Sequence, residues 1–181
     1  MAARKTLSLT PATRAILVSV ANRVPCRPSA TNGMPDPEIM SLPTSVAGAL
    51  LALGIGPSGC ARDRDSASHG LWSLDQPAFV AQFVVAYHAL ANMLRGTTSR
   101  DDLDSYGLKH AVASVWLEAG NGHPVYISNG ALITAALAHE HRVCRCLAPD
   151  DINAAVRLQR DWRQVMLHNL QAVAVTGSFD L

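Results

Sequence analysis

Aromatic side chains are scarce in this sequence: three each of Trp, Tyr and Phe, or 5% of the chain. So few rings argue against a surface that stacks successive bases of a single strand. Charge is thin as well. Asp, Glu, Lys and Arg make up 16% of the residues, against ~25% in an ordinary soluble domain. Fifteen basic residues nearly balance 14 acidic ones, leaving a net +1, whereas a strong non-specific nucleic-acid binder carries a basic excess. Before Trp72 there are 7 basic and 4 acidic residues, and from there on 8 and 10. The mild basic excess therefore lies in the N-terminal part.

Long apolar runs are missing. The longest, around Val46 to Ile55, is about half of the ~20 residues that a membrane-spanning helix needs, so no membrane partner is expected. The stretch Ala15 to Ala21 is short and broken by polar residues, unlike a secretory signal. Cysteines number four, Cys26, Cys60, Cys144 and Cys146, and are expected as free thiols in a reducing, cytoplasmic setting. Signatures of catalysis are also lacking. There is no Gly-x-Ser-x-Gly elbow, no His-Glu-x-x-His pair and no phosphate loop ending in Lys-Ser/Thr.

What is present is apolar mass: 49% of 181 residues, enough for the core of one domain. The pattern predicts a mainly α fold, a single helical domain of five or six helices with one short extended segment and a proline-rich N-terminal linker. Residues 1–43 would hold an arm, a helix and the linker, 44–175 the helical domain, and 176–181 a tail. Met1 to Ser8, with Arg4 and Lys5, reads as a loose basic arm. Thr10-Pro11 offers a hydroxyl cap and a proline at the first helical position, for a helix to about Arg23. Pro25, Pro28, Pro35, Pro37 and Pro43 forbid regular structure between them.

Ser45 to Leu53 is Ala- and Leu-rich and predicts a short buried helix. The letters Gly54-Ile55-Gly56-Pro57-Ser58-Gly59 match a dinucleotide fingerprint, which works only between a strand and a helix. Cys60 to Asp65 has no apolar helical face, so an ordinary glycine loop is expected. Ser73-Leu74-Asp75-Gln76 forms a capping box for a helix through Leu94, ended by Gly96. Leu108, Val112, Val115, Trp116 and Ala119 then make a helical stripe. Val125-Tyr126-Ile127 is the extended segment, and Ser128 or Asn129 caps an alanine-rich helix from Ala131 to about His141. Pro149-Asp150-Asp151 would open the last helix, with Ile152, Ala155, Val156, Met166 and Leu170 inward.

Three groups of residues carry chemistry. Lys109 and His110, with Tyr106 beside them, form a polar patch; together with Ser114 and Asn129 they make a candidate contact surface. A His–Lys pair can serve acid–base chemistry, although a solvated Lys and a surface His are the commoner outcome. Arg157, Arg160, Asp161, Gln164 and His168 follow helical spacing on the predicted last helix. Arg157, Arg160, Gln164 and His168 would suit phosphate and base edges, with Asp161 against that reading. His139, His141, Cys144 and Cys146 are zinc-type ligands, but alternate residues of a helix diverge, and Cys-Arg-Cys is tighter than structural zinc pairs. No cofactor is expected, with zinc at that cluster as the alternative.

The segments Ser105-Tyr106-Gly107-Leu108-Lys109-His110 and Tyr126-Ile127-Ser128-Asn129-Gly130, the second followed by an alanine-rich helix, resemble a pattern found in small uncharacterised proteins of bacterial genomes, plasmids and phages. The resemblance implies a bacterial or mobile-element origin and supplies no catalytic residues. The expectation is a non-enzymatic accessory or regulatory protein that docks on a protein partner or on itself. Two alternatives stay open. One is a DNA-associated protein using the basic arm and the Arg157/Arg160/Gln164/His168 face. The other is a metal-dependent enzyme at His139–Cys146.

Overall fold

A computed structural model describes residues 4–24, 26, 41–60, 74, 77–93, 100–122, 124–146 and 152–176. It corrects the mainly α expectation: the described residues form six helices, a four-stranded antiparallel sheet and a two-stranded ribbon. The sheet runs in the order β1 (Arg4–Leu7), β5 (Val143–Cys146), β6 (Ala154–Gln159), β4 (Arg100–Asp104). Its register pairs Thr6 with Cys144, Val143 with Val156 and Leu103 with Val156.

The largest correction concerns the predicted last helix. Ala154–Gln159 is a strand, and α6 begins only at Trp162, running to Thr176. Ile152, Ala155 and Val156 fit a helical stripe, while Ala154, Val156 and Leu158 fit a two-residue alternation. The sequence satisfies both. The alternation prevails because β5 and β4 pair with the segment on its two sides, burying Ala154, Val156 and Leu158 while Arg157 stays half-buried. The opening Pro149-Asp150-Asp151 lies outside the described residues.

Arg4–Leu7 is an edge strand and no loose arm, with Leu7 buried at its end. Leu7 and Leu17 share one core with Val46 and Val173. Most of the proline-rich segment and the tail 177–181 lie outside the described residues, as do the capping-box residues Ser73, Asp75 and Gln76 and the predicted cap Gly96.

Three of the described helices begin at a side-chain cap. Thr10 Oγ1 accepts from the Thr13 N–H at 3.2 Å at the start of α1 (Pro11–Arg23). Asp104 does the same for Gly107 at the start of α4 (Ser105–Glu118), and Ser128 for Ala131 at the start of α5 (Asn129–Ala138). Helix α2 (Thr44–Ala52) packs on α1. At the centre lie α3 (Pro77–Ala89) and α5, packed on each other. Ala131, Ala135 and Ala136 are fully buried, the close approach that small side chains permit. Helix α3 stops at Ala89, short of the predicted Leu94, and Asn92 turns the chain with φ 57°. No described helix is long and apolar enough to cross a membrane.

The fingerprint-like glycines form a closed turn. β2 (Ile55–Gly56) and β3 (Gly59–Cys60) pair as a ribbon whose Pro57 carbonyl accepts the Gly130 N–H of α5 at 3.0 Å. A Cβ on Gly130 would stand 1.9 Å from the Gly56 carbonyl oxygen, so only glycine fits that approach. Cys60 N–H donates to the Ile152 carbonyl at 2.8 Å, fastening the ribbon to the chain entering β6. An N–H that a phosphate would need is already taken.

Candidate functional site

Strand β4 passes directly into α4, and this junction is held firmly. Ser105 is fully buried and its Oγ accepts the Ala154 N–H of β6 at 2.9 Å, tying the helix start to the sheet. The next residue, Tyr106, is 49% exposed. Its ring meets that of His110, one helical turn on, edge to face at 4.7 Å. Lys109, on the helix side between them and the body, is only 9% exposed.

A second tyrosine comes from the segment before α5. Val125, Tyr126 and Ile127, expected as the extended segment, form no strand and pair with none of the described ones. The alternation still acts: Val125 and Ile127 are buried and Tyr126 stands 65% exposed. The segment is fixed from below by Gln82, whose side-chain oxygen accepts the Ser128 N–H at 2.9 Å. The Lys109 ammonium therefore lies against two rings, 4.6 Å from the centre of Tyr106 and 5.3 Å from that of Tyr126. Each ring face offers negative quadrupole to the cation. Among the described residues no carboxylate pairs with Lys109.

Of the predicted contact residues, Lys109, His110 and Ser114 share α4, with His110 and Ser114 exposed. Asn129 does not join them. It is 3% exposed, and its amide donates to the Ile152 carbonyl and the Asn153 side chain, so its work is internal. Tyr126 belongs to the patch, although its sequence context read only as a strand. The signal was there: a lone polar-tipped ring between two β-branched residues must face the other way.

The arginine face is dispersed. Arg157 sits on β6 and clasps Asp102 of β4 with two hydrogen bonds, 2.6 and 3.0 Å. Asp102 holds the Arg157 guanidinium above its ordinary pKa, first by that bond and then by its charge. Arg160 is in the turn before α6, while Gln164 and His168 are exposed on α6. No single helix presents all four.

The zinc-type residues lie as follows among the described residues. His139 stacks on the ring of Tyr87 at 4.0 Å and its Nε2 is 2.7 Å from the Tyr87 carbonyl oxygen. The His141 ring centre is 6.0 Å from that of His139. Cys144 lies on β5 beside Thr6 Oγ1, and the side chain of Cys146 is outside the described set. No three metal-ligating side chains come together among the described residues.

What the geometry assembles is thus an aromatic-flanked cation at the start of α4, with His110 against one of its rings and no metal-holding group among the described residues. Comparison with protein-family models, with curated proteins and with solved structures gave no match, so the reading of this chain rests on its own residues.

Proposed function

We propose that the protein is a non-enzymatic accessory or regulatory binding protein, of bacterial or mobile-element origin, that docks on a protein partner through the start of α4 and Tyr126. One observation carries the reading: Lys109 is nearly buried, yet its charge is answered by two exposed tyrosine rings and by no described carboxylate. Exposed tyrosines around a partly desolvated cation are the makings of an interface hot spot, where rings lose water and the charge finds its partner. The partner's matching feature is an acidic side chain set beside an apolar one. Leu117, 45% exposed near the far end of α4, extends the apolar part.

The test is an affinity pull-down from the native host with the wild-type chain and with Tyr126→Ser and Lys109→Gln. Recovery of a protein by the wild type, and its loss from both variants at unchanged melting temperature, supports the reading. Equal recovery by all three overturns it. Steeply salt-dependent binding of duplex DNA by the wild type, with no protein recovered, would favour the DNA-associated alternative.

A further inference from the structure

A second basic feature lies at the other edge of the sheet. Lys5 on β1 and Arg145 on β5 stand directly opposite each other in the antiparallel register. Like charges in that position repel. Neither has a carboxylate partner among the described residues. The Arg145 Nε is fully buried and donates to nothing. Lys5 alone would be an ordinary guard against edge-to-edge pairing. Arg145 has no such explanation, because β5 is an inner strand, between β1 and β6.

The two side chains share a face. Lys5 is two residues from buried Leu7, and Arg145 two from buried Val143, with Leu7 and Val143 themselves paired. The next strand supplies only Ala154 opposite Arg145. The pair is therefore a doubly positive station with a free planar fork on one side and a flexible ammonium on the other. We propose that Lys5 and Arg145 form an anion-binding site for a phosphate monoester group. Two positive charges match its dianion better than the single charge of a phosphodiester, and the guanidinium meets two phosphate oxygens at once. This site is separate from the Lys109 surface and stands or falls without it.

The test follows the unfolding midpoint of the full chain against inorganic phosphate at constant ionic strength, for the wild type, Lys5→Ala and Lys5→Glu. The wild type should show a saturable rise. Lys5→Ala should weaken the apparent phosphate affinity by about tenfold, a 1.4 kcal/mol loss. Lys5→Glu places the missing carboxylate opposite Arg145; it should raise the midpoint without phosphate and abolish the saturable response. Lys5 is exposed on an edge strand, so these variants leave the core intact. General salting-out by phosphate would act on all three proteins alike. An identical response in all three, or no saturable response in the wild type, overturns the proposal. So does tighter binding of an oligothymidylate than of phosphate, because it would assign the pair to a nucleic-acid backbone.

Discussion

Asn169 of α6 donates its side-chain amide to two carbonyls at the end of α3, Ala89 at 3.3 Å and Ala91 at 2.6 Å. Those carbonyls have no further turn of helix to bond, and Asn169 is 1% exposed, so water does not replace it. Its own oxygen receives the Asn92 amide at 3.4 Å, at the residue that turns the chain with positive φ. One side chain thus ends the central helix from outside. Asn169→Leu, close in volume but without donors, should lower stability by about 2 kcal/mol through two orphaned carbonyls. Urea unfolding measures it, and a loss under a few tenths would show that the carbonyls find other donors.

Gly130 gives a sharper test of the ribbon-to-helix contact. Its Cβ would meet backbone, the Gly56 carbonyl oxygen at 1.9 Å, and no flexible side chain can yield. Gly130→Ala should cost about 3 kcal/mol or more, since the ribbon must lift from the helix start. Gly48 has nothing within 4 Å of its Cβ position. Gly48→Ala, inside α2, should by contrast stabilise by up to ~1 kcal/mol. Equal melting temperatures for the two variants would contradict this packing.

These contacts mark the boundary of what the sequence could disclose. Caps at Thr10 and Ser128 and the stripe from Leu108 to Ala119 are local signals, and the structure places helices on them. The strands are different. Arg100–Asp104 has one apolar residue in five, and Arg4–Leu7 only Leu7; each is a strand because a partner is present across the ladder. Such pairing joins residues far apart in sequence, and single-chain periodicity cannot show it. Ala154–Gln159 satisfied two periods at once, and only the neighbouring strands decide between them.

The contact surface was half legible. Lys109, His110 and Tyr106 share helical spacing, which is a local signal. Tyr126 comes from another element, and its position over Lys109 depends on Gln82 fixing the Ser128 N–H. Asn129 is a polar residue beside a helix start, and the chain entering β6 buries it, which no local pattern shows.

Thiol reactivity separates the cysteines. Cys26 is buried, and burial alone pushes its thiol up to about 12. Cys60 is buried within the ribbon, on β3, while Cys144 is partly exposed on β5. With Cys146→Ser as background, a thiol reagent at pH 8 should label Cys144 on the folded protein, and Cys26 and Cys60 only as it unfolds. Mass spectrometry of peptides reads the order. Early labelling of Cys26 would contradict its place in the core.

The last prediction concerns His88 in the final turn of α3, 4% exposed. A histidine at a helix C-terminus is normally favoured as the cation, but here burial dominates. Desolvation brings its pKa from 6.5 down to about 4, against a smaller opposing effect of its hydrogen bond to the Ala21 backbone. The sign follows from proton counting. Above pH 6.5 the ring is neutral in both states and the full stability is present. Between 6.5 and about 4 the unfolded chain takes up a proton that the folded chain refuses, so stability falls as pH falls. Below about 4 both states are protonated and the loss levels off. The whole swing is about 3 kcal/mol, from the 1.36 kcal/mol that each pKa unit represents. Carboxylates titrate in the lower part of this window, so the measurement is the difference between wild type and His88→Gln, by urea unfolding at pH 7 and pH 5. The variant should lose less stability than the wild type between those two pH values; an equal loss in both proteins would mean that His88 is protonated in the folded state.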